Sequence, residues 1–316
     1  MIRPLMLRFF FSLGLVLIFS SGPFLHAYAE PSGYEKRSVT VKGEERFYYV
    51  RSIFKNPDSA IKHPLLIALH GAGSNPEQLM AASGLSAKAE KENFIIVYPL
   101  GTGAVENRLS WNAGNCCSDA HENKAQDEDF IAALVDQLIT TLPVDQKRIY
   151  MAGFSNGGML AYRAAARLAD KIAAVGVVSG AMFADQPKPS APLSVIFFHG
   201  TNDKVVPYEG GLSKRSILKT EVDTPFMAAT DIQKFWLTEN ICTAAPEEMK
   251  KGNILTLAHH KCSHNVSVVF NTIKNSAHNW PGASQGVYSE YDDGSYYLGF
   301  SATDAMWSFF SKHPKE

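Results

Sequence analysis

Gly153-Phe154-Ser155-Asn156-Gly157 decides the reading of this chain, because of what flanks it. Ile149-Tyr150-Met151-Ala152 before it is a short apolar strand, and the stretch from Gly158 to Ala166 after it is helix-forming. A serine held between strand and helix by G-x-S-x-G sits in a turn so tight that its neighbours must be small. Its backbone is forced into strained angles, and its hydroxyl stands clear of the sheet edge at a helix N-terminus. There the helix dipole favours an anionic transition state. The pattern predicts a catalytic nucleophile at Ser155; the competing reading is an ordinary glycine-rich turn.

A serine hydroxyl attacks well only when an imidazole takes its proton, and the imidazole needs a carboxylate to fix its tautomer. Downstream, the apolar run Leu193 to Phe198 leads into His199-Gly200-Thr201-Asn202-Asp203, which puts Asp203 in the turn just past a strand. Asp185 and Asp223 are weaker candidates for the acid, since no buried strand aims them. His278 follows the run Val266 to Ile273 after a short turn and is the expected base. His199 precedes the acid at the strand end and reads as structural. The oxyanion hole needs two backbone N–H donors. Asn156, directly after the nucleophile, is one. Ala72 is the other, in the loop His70-Gly71-Ala72-Gly73 that follows the buried run Pro64 to Leu69.

The remaining elements alternate. Ser38–Val41 and Arg46–Arg51 read as a hairpin around Lys42-Gly43, with a helix from about Glu77 to Lys91 and a strand over Phe94–Tyr98. A Gly/Asn/Cys-rich loop covers Gly101 to Lys124. An amphipathic helix spans Asp127 to Leu142, strands cover Ala173–Val178 and Leu193–Phe198, and a helix covers Ala228–Asn240. Two β-like runs, Ile254–Ala258 and Val266–Ile273, precede a closing helix at Ala302–Ser311. Strands alternating with helices predict a mostly parallel central sheet with helices on both faces, an α/β fold without internal repeats.

Residues 1–29 read as an export signal: Arg3 and Arg8, the apolar run Phe9 to Phe19, and Ala27-Tyr28-Ala29 as a cleavage site. The run is broken by Ser20-Ser21-Gly22-Pro23, short for a membrane span, so no stable membrane anchor is expected. An uncleaved anchor is the competing reading. Residues 30–316 are then one catalytic domain, placed in the periplasm or outside the cell. A formal net charge of −1 offers no basic field for nucleic acid. In an exported chain the four cysteines suggest disulfides, with Cys242 and Cys262 bracketing a polar excursion as the natural pair. The adjacent Cys116 and Cys117 are left open between bonded and reduced. His259, His260 and His264 crowd around Cys262, but a solvated loop fits them better than a metal site, and no metal or organic cofactor is expected.

Assembled, the blocks Leu69-His70-Gly71-Ala72-Gly73-Ser74-Asn75-Pro76, Ser110-Trp111-Asn112 with Cys116-Cys117, Asp127-Glu128-Asp129-Phe130-Ile131, Gly153 to Met159, His199 to Asp203 and His278-Asn279-Trp280-Pro281-Gly282 follow a known order. The whole mature chain resembles the polyhydroxybutyrate depolymerase and feruloyl/acetylxylan esterase group of α/β-hydrolases. The His-x-Trp-Pro-Gly block is the most telling, because α/β-hydrolases at large do not share it. The resemblance implies Ser155 as nucleophile, Asp203 as orienting acid and His278 as base, in agreement with the residue-level reading.

Many relatives carry Cys where this chain has Ala72, a difference of little weight because the backbone N–H is the group used. No linker or polymer-binding module is read in the sequence, so a soluble or side-chain ester is expected as substrate rather than granular polyester. Trp111 and Trp280 are expected as walls for an aromatic or sugar-bearing ester. Two other readings compete: a peptidase or amidase on the same residues, and a non-catalytic carbohydrate-binding protein on the same scaffold. The oligomeric state is not readable from these features.

Overall fold

Continuous apolar runs must be covered on both faces, and that demand organises the chain around one sheet. The computed structural model describes residues 31–51, 56, 58–105, 107–214, 224–283 and 299–316. The export signal read at residues 1–29 and the alternative acid Asp223 lie outside the described residues. The elements are β1 (Tyr34–Val41), β2 (Glu44–Arg51), β3 (His63–Leu69), α1 (Pro76–Ser83), α2 (Leu85–Glu92), β4 (Ile95–Pro99), α3 (Ser118–Glu122), α4 (Asp127–Thr141) and β5 (Val144–Phe154). They continue with α5 (Asn156–Arg167), β6 (Ala174–Val178), β7 (Ser194–Gly200), α6 (Ala229–Glu239), β8 (Glu247–Lys251), β9 (Ile254–His259), β10 (Val268–Ile273) and α7 (Ala302–Phe310).

The strands form one sheet in the order β1-β2-β4-β3-β5-β6-β7-β10-β9-β8. The stretch from β4 to β10 is parallel throughout, and antiparallel hairpins close both ends. Alternate residues of each central strand feed opposite cores. Leu65, Ile67, Ile149, Met151, Val175 and Phe197 meet α4, α5 and α6 on one face. Leu66, Tyr150, Phe154, Ile196 and Phe198 meet α1, α2 and α7 on the other. This is the expected mostly parallel sheet with helices on both faces.

Three local readings are corrected. The helix expected over Glu77–Lys91 is two helices, because Gly84 takes a left-handed φ of 71° and breaks the ladder after Ser83. The loop over Gly101–Lys124 contains the short helix α3. The charged stretch Glu247–Lys251, not read as a strand, becomes β8 by folding back on β9 across the turn Gly252-Asn253.

Cys242 and Cys262 are joined by a disulfide between the end of α6 and the segment after β9, and Cys116 and Cys117 are bonded to each other. No helix among the described residues is long and apolar enough to cross a membrane.

Candidate active site

Ser155 lies at the junction of β5, the fifth strand along the ten-stranded order, and α5, with φ 52° and ψ −123°. A left-handed φ on a non-glycine residue costs energy that the surroundings must offset. Here the Ser155 N–H donates to the Val178 carbonyl of β6 at 2.9 Å, and the Ser155 carbonyl accepts from Met159 N–H at 3.0 Å to start α5. Gly157 explains the rest of the motif: a Cβ there would run into the Leu69 and His70 carbonyls. Only glycine lets α5 press against the end of β3, where the loop carrying Ala72 begins.

That loop is tied down by side chains that the sequence does not advertise. The His70 ring is fully buried; its Nδ1–H donates to the Gly71 carbonyl at 2.9 Å, and Nε2 accepts the Gly101 N–H at 3.1 Å. Burial lowers His70 to about 4, against 6.5 for an ordinary imidazole, so the ring is neutral at physiological pH. Trp111 is 0% exposed, and its indole N–H donates to the His70 carbonyl at 2.7 Å. The Asn156 side chain in turn clasps the Trp111 backbone, accepting its N–H at 2.8 Å and donating to its carbonyl at 3.0 Å. The same amide nitrogen stands 3.8 Å from Cys116 Sγ.

The expectation of Trp111 and Trp280 as substrate walls is therefore corrected. Trp111 is a strut under the His70–Gly73 loop with no face left for a ligand. Trp280 is 2% exposed, and its indole N–H is spent on Thr303 Oγ1 at 3.0 Å, in turn bonded to the Ser83 carbonyl.

Asp203 and His278, 75 residues apart, meet because β7 and β10 are parallel neighbours whose ends lie side by side. The two turns beyond them are stitched together: Thr201 N–H donates to Ile273 O at 3.0 Å, and Asn202 N–H to Ser276 O at 2.9 Å. Gly200 permits the approach, since a Cβ there would strike the Ser276 and Ala277 carbonyls. His278 Nδ1 and Asp203 Oδ2 are 2.7 Å apart, both side chains buried. The other carboxylate oxygen accepts the N–H groups of Val205 and Val206 at 2.9 and 2.8 Å. Burial pushes the Asp203 carboxyl up, but His278 and His199 outweigh it and hold the group below the usual carboxylate range. The His278 ring packs on Phe154, the residue before Ser155, at 5.0 Å between centroids.

His199, read as structural, stands closer to the chemistry than that reading implied. Its Nε2 donates to the Val206 carbonyl at 2.8 Å and lies 3.5 Å from Asp203 Oδ2, so the carboxylate faces two imidazoles. The spacing of four residues between His199 and Asp203 was the available signal. Asp185, the weaker candidate for the acid, is instead engaged by Arg163 at 3.2 Å and Asn115 at 3.0 Å. Ala72 is partly buried on the loop that follows β3. Among the described residues, no group of three His, Cys, Asp or Glu side chains is placed to hold a metal ion.

The family profile described as Phospholipase/Carboxylesterase matches residues 55–233. A feruloyl esterase B from Piromyces equi is 32% identical over 68% of this chain, and the match spans 39% of that protein's length. A feruloyl esterase C from Emericella nidulans is 29% identical over 83% of both chains. Among solved structures, an acetyl xylan esterase from Aspergillus awamori superposes with a TM-score of 0.55 at 14% identity, covering 88% of this chain and 99% of that one. That likeness establishes the shared α/β-hydrolase fold.

Proposed function

We propose, from the premise that this chain belongs to the phospholipase/carboxylesterase family, that it is an exported serine esterase working through Ser155, His278 and Asp203. The observation that carries the proposal is the 2.7 Å contact between His278 Nδ1 and Asp203 Oδ2, with the imidazole packed on Phe154 beside the elbow serine. A carboxylate at Nδ1 selects the tautomer in which Nε2 is the basic nitrogen.

His278 takes the Ser155 hydroxyl proton as Oγ attacks the ester carbonyl carbon. The resulting oxyanion is faced by the backbone N–H groups of Asn156 and Ala72 and by the N-terminus of α5. His278 then gives its proton to the departing alcohol oxygen, which leaves an acyl group on Ser155. Water attacks that acyl-enzyme with His278 as base, and the acid departs with the proton returned to Ser155.

The names of relatives, two feruloyl esterases and a bifunctional acetylxylan esterase/xylanase from Neocallimastix patriciarum, support feruloyl or acetyl esters, such as those of xylan, as the substrate class. The resemblance to depolymerases adds short hydroxyalkanoate esters. Export is supported by the residue pattern of 1–29 and by the Cys242–Cys262 disulfide, which persists in an oxidising compartment.

Ser155→Ala is expected to abolish turnover of p-nitrophenyl acetate while the melting temperature stays near that of the wild type. Retained turnover would overturn the mechanism. Initial rates on methyl ferulate, acetylated xylan and hydroxybutyrate oligomers separate the substrate classes.

A further inference from the structure

The sheet ends at β8, whose sequence Glu247-Glu248-Met249-Lys250-Lys251 is exposed at every position. An edge strand presents unpaired backbone groups and is a ready template for another strand. This one carries a charge pattern that inverts about its centre. Laid antiparallel on a second copy of itself about Met249, it sets Glu247 opposite Lys251 and Glu248 opposite Lys250, in both directions. Met249, 49% exposed, falls opposite its own counterpart. Laid parallel in register, the same strand sets Glu on Glu and Lys on Lys, which like-charge repulsion disfavours. The pattern therefore selects one orientation. At the other end of the sheet, β1 bunches Glu35, Lys36 and Arg37 near its start and has no such complement.

The backbone agrees with that register. Lys251 and Ile254 flank the two-residue turn Gly252-Asn253 and pair across it, Gly252 taking a left-handed φ of 58°. In such a hairpin the flanking residues form a hydrogen-bonded pair, and the pattern alternates along the strand. Lys251, Met249 and Glu247 thus direct their N–H and C=O groups to β9, while Glu248 and Lys250 direct theirs outward. Pairing Glu248 with Lys250 of the second copy joins two outward-facing residues in each strand. The central methionines then occupy the closer, non-hydrogen-bonded position. Glu248 and Lys250 already form an ion pair within the strand at 2.8 Å, so their side chains share one face, as the cross-copy ladder requires.

We propose that β8 is a self-association surface on which a second copy of this chain docks antiparallel, joining two ten-stranded sheets into one. The symmetry is a two-fold axis perpendicular to the sheet, passing midway between the two copies of Met249. Ser155 lies at β5, five strands in from β8, so the contact leaves each elbow uncovered. A five-residue ladder is small beside the roughly 1,200–2,000 Å² of stable interfaces, so the dimer is weak and concentration-dependent. Its exposed ion pairs make it salt-sensitive.

Sedimentation velocity of the purified protein over a concentration series tests this. The wild type is expected to move from protomer to twice the protomer mass in low salt and to revert in about 1 M salt, where the Debye length falls to about 3 Å. Glu247→Lys with Glu248→Lys gives an all-basic edge, and Lys250→Glu with Lys251→Glu an all-acidic one. Each is expected to weaken self-association by at least about tenfold, while an equal mixture of the two associates. All four substitutions together restore the complement and the dimer. Lys250→Pro removes an outward N–H and the exposed Lys250 charge but no bond to β9, so it is expected to abolish dimerisation with the melting temperature kept. A wild type that stays at protomer mass throughout overturns the proposal. So does self-association that the charge-reversed edges leave unchanged, which would place the contact elsewhere.

Discussion

His70→Gln tests the buried latch at the base of the His70–Gly73 loop through its proton linkage. In the native protein both ring nitrogens of His70 are used by the neutral form: Nδ1–H donates to Gly71 O, and Nε2 accepts Gly101 N–H. Protonation would set a second N–H against the Gly101 donor in a site without water contact. Burial therefore lowers the group from 6.5 to about 4, with the Gly71 bond opposing only in part. The unfolded chain takes up this proton at a higher pH than the folded one, so stability is complete above about 6.5 and is lost as pH falls towards 4. Each pH unit of that window is worth about 1.4 kcal/mol for one proton, which makes the loss at pH 4 about 3 kcal/mol. Burial lowers His259 and His313 as well, and they add slope of the same sign. The informative quantity is thus the difference between wild type and His70→Gln, whose side-chain oxygen can still accept the Gly101 N–H. Urea unfolding followed by tryptophan fluorescence at pH 7.5, 6, 5 and 4 is expected to show the wild-type advantage shrinking by about 3 kcal/mol across the series. A gap that stays constant within about 0.5 kcal/mol refutes the claim that His70 is held neutral by burial.

Asp203→Asn is expected to lower kcat for p-nitrophenyl acetate on the order of 10⁴-fold with little change in KM, because the amide favours the wrong imidazole tautomer. A comparable loss on Asp185→Asn instead would move the acid. Trp111→Phe leaves the His70 carbonyl without its buried donor and is expected to cost about 1–3 kcal/mol in urea unfolding, with kcat falling more than KM rises. An unchanged kcat would separate the indole from the oxyanion loop. Arg46→Leu leaves the buried Asp127 carboxylate, 2.6 Å from the guanidinium, with its charge uncompensated and the Asn112 N–H as its remaining partner, and is expected to cost about 3–5 kcal/mol. A loss below about 1 kcal/mol would mean that Asp127 finds another partner or takes a proton.

What could be read from residues alone follows the range of the physics involved. Runs such as Leu65–Leu69 and Val195–Phe198 can be satisfied only by burial on both faces, so the parallel centre of the sheet was legible before any pairing was known. The elbow was legible for the same kind of reason, since its glycines answer steric demands within a few residues of themselves. Gly84 was not, because the apolar spacing of α1 and α2 runs through it and only its left-handed backbone ends the helix. Nor was β8, which has no apolar alternation and is a strand only because β9 offers it a partner.

The candidate site divides along the same line. The candidacy of Asn156 rests on its backbone N–H, a local consequence of following Ser155. Its side chain grips Trp111, 45 residues away in sequence, and Trp111 grips His70, so one residue of the elbow helps to hold the loop that carries Ala72, the other proposed oxyanion donor. An indole near a candidate nucleophile reads equally well as a substrate wall or as a strut, and the sequence has no feature that separates them. The separation comes from where one N–H finds its acceptor, and for Trp111 that acceptor is a main-chain carbonyl two residues before Ala72. A relay of buried polar contacts thus runs from α5 through Trp111 to the end of β3, beneath the loop proposed to supply the second oxyanion donor. Substitutions in that relay should disturb transition-state binding before they disturb substrate binding.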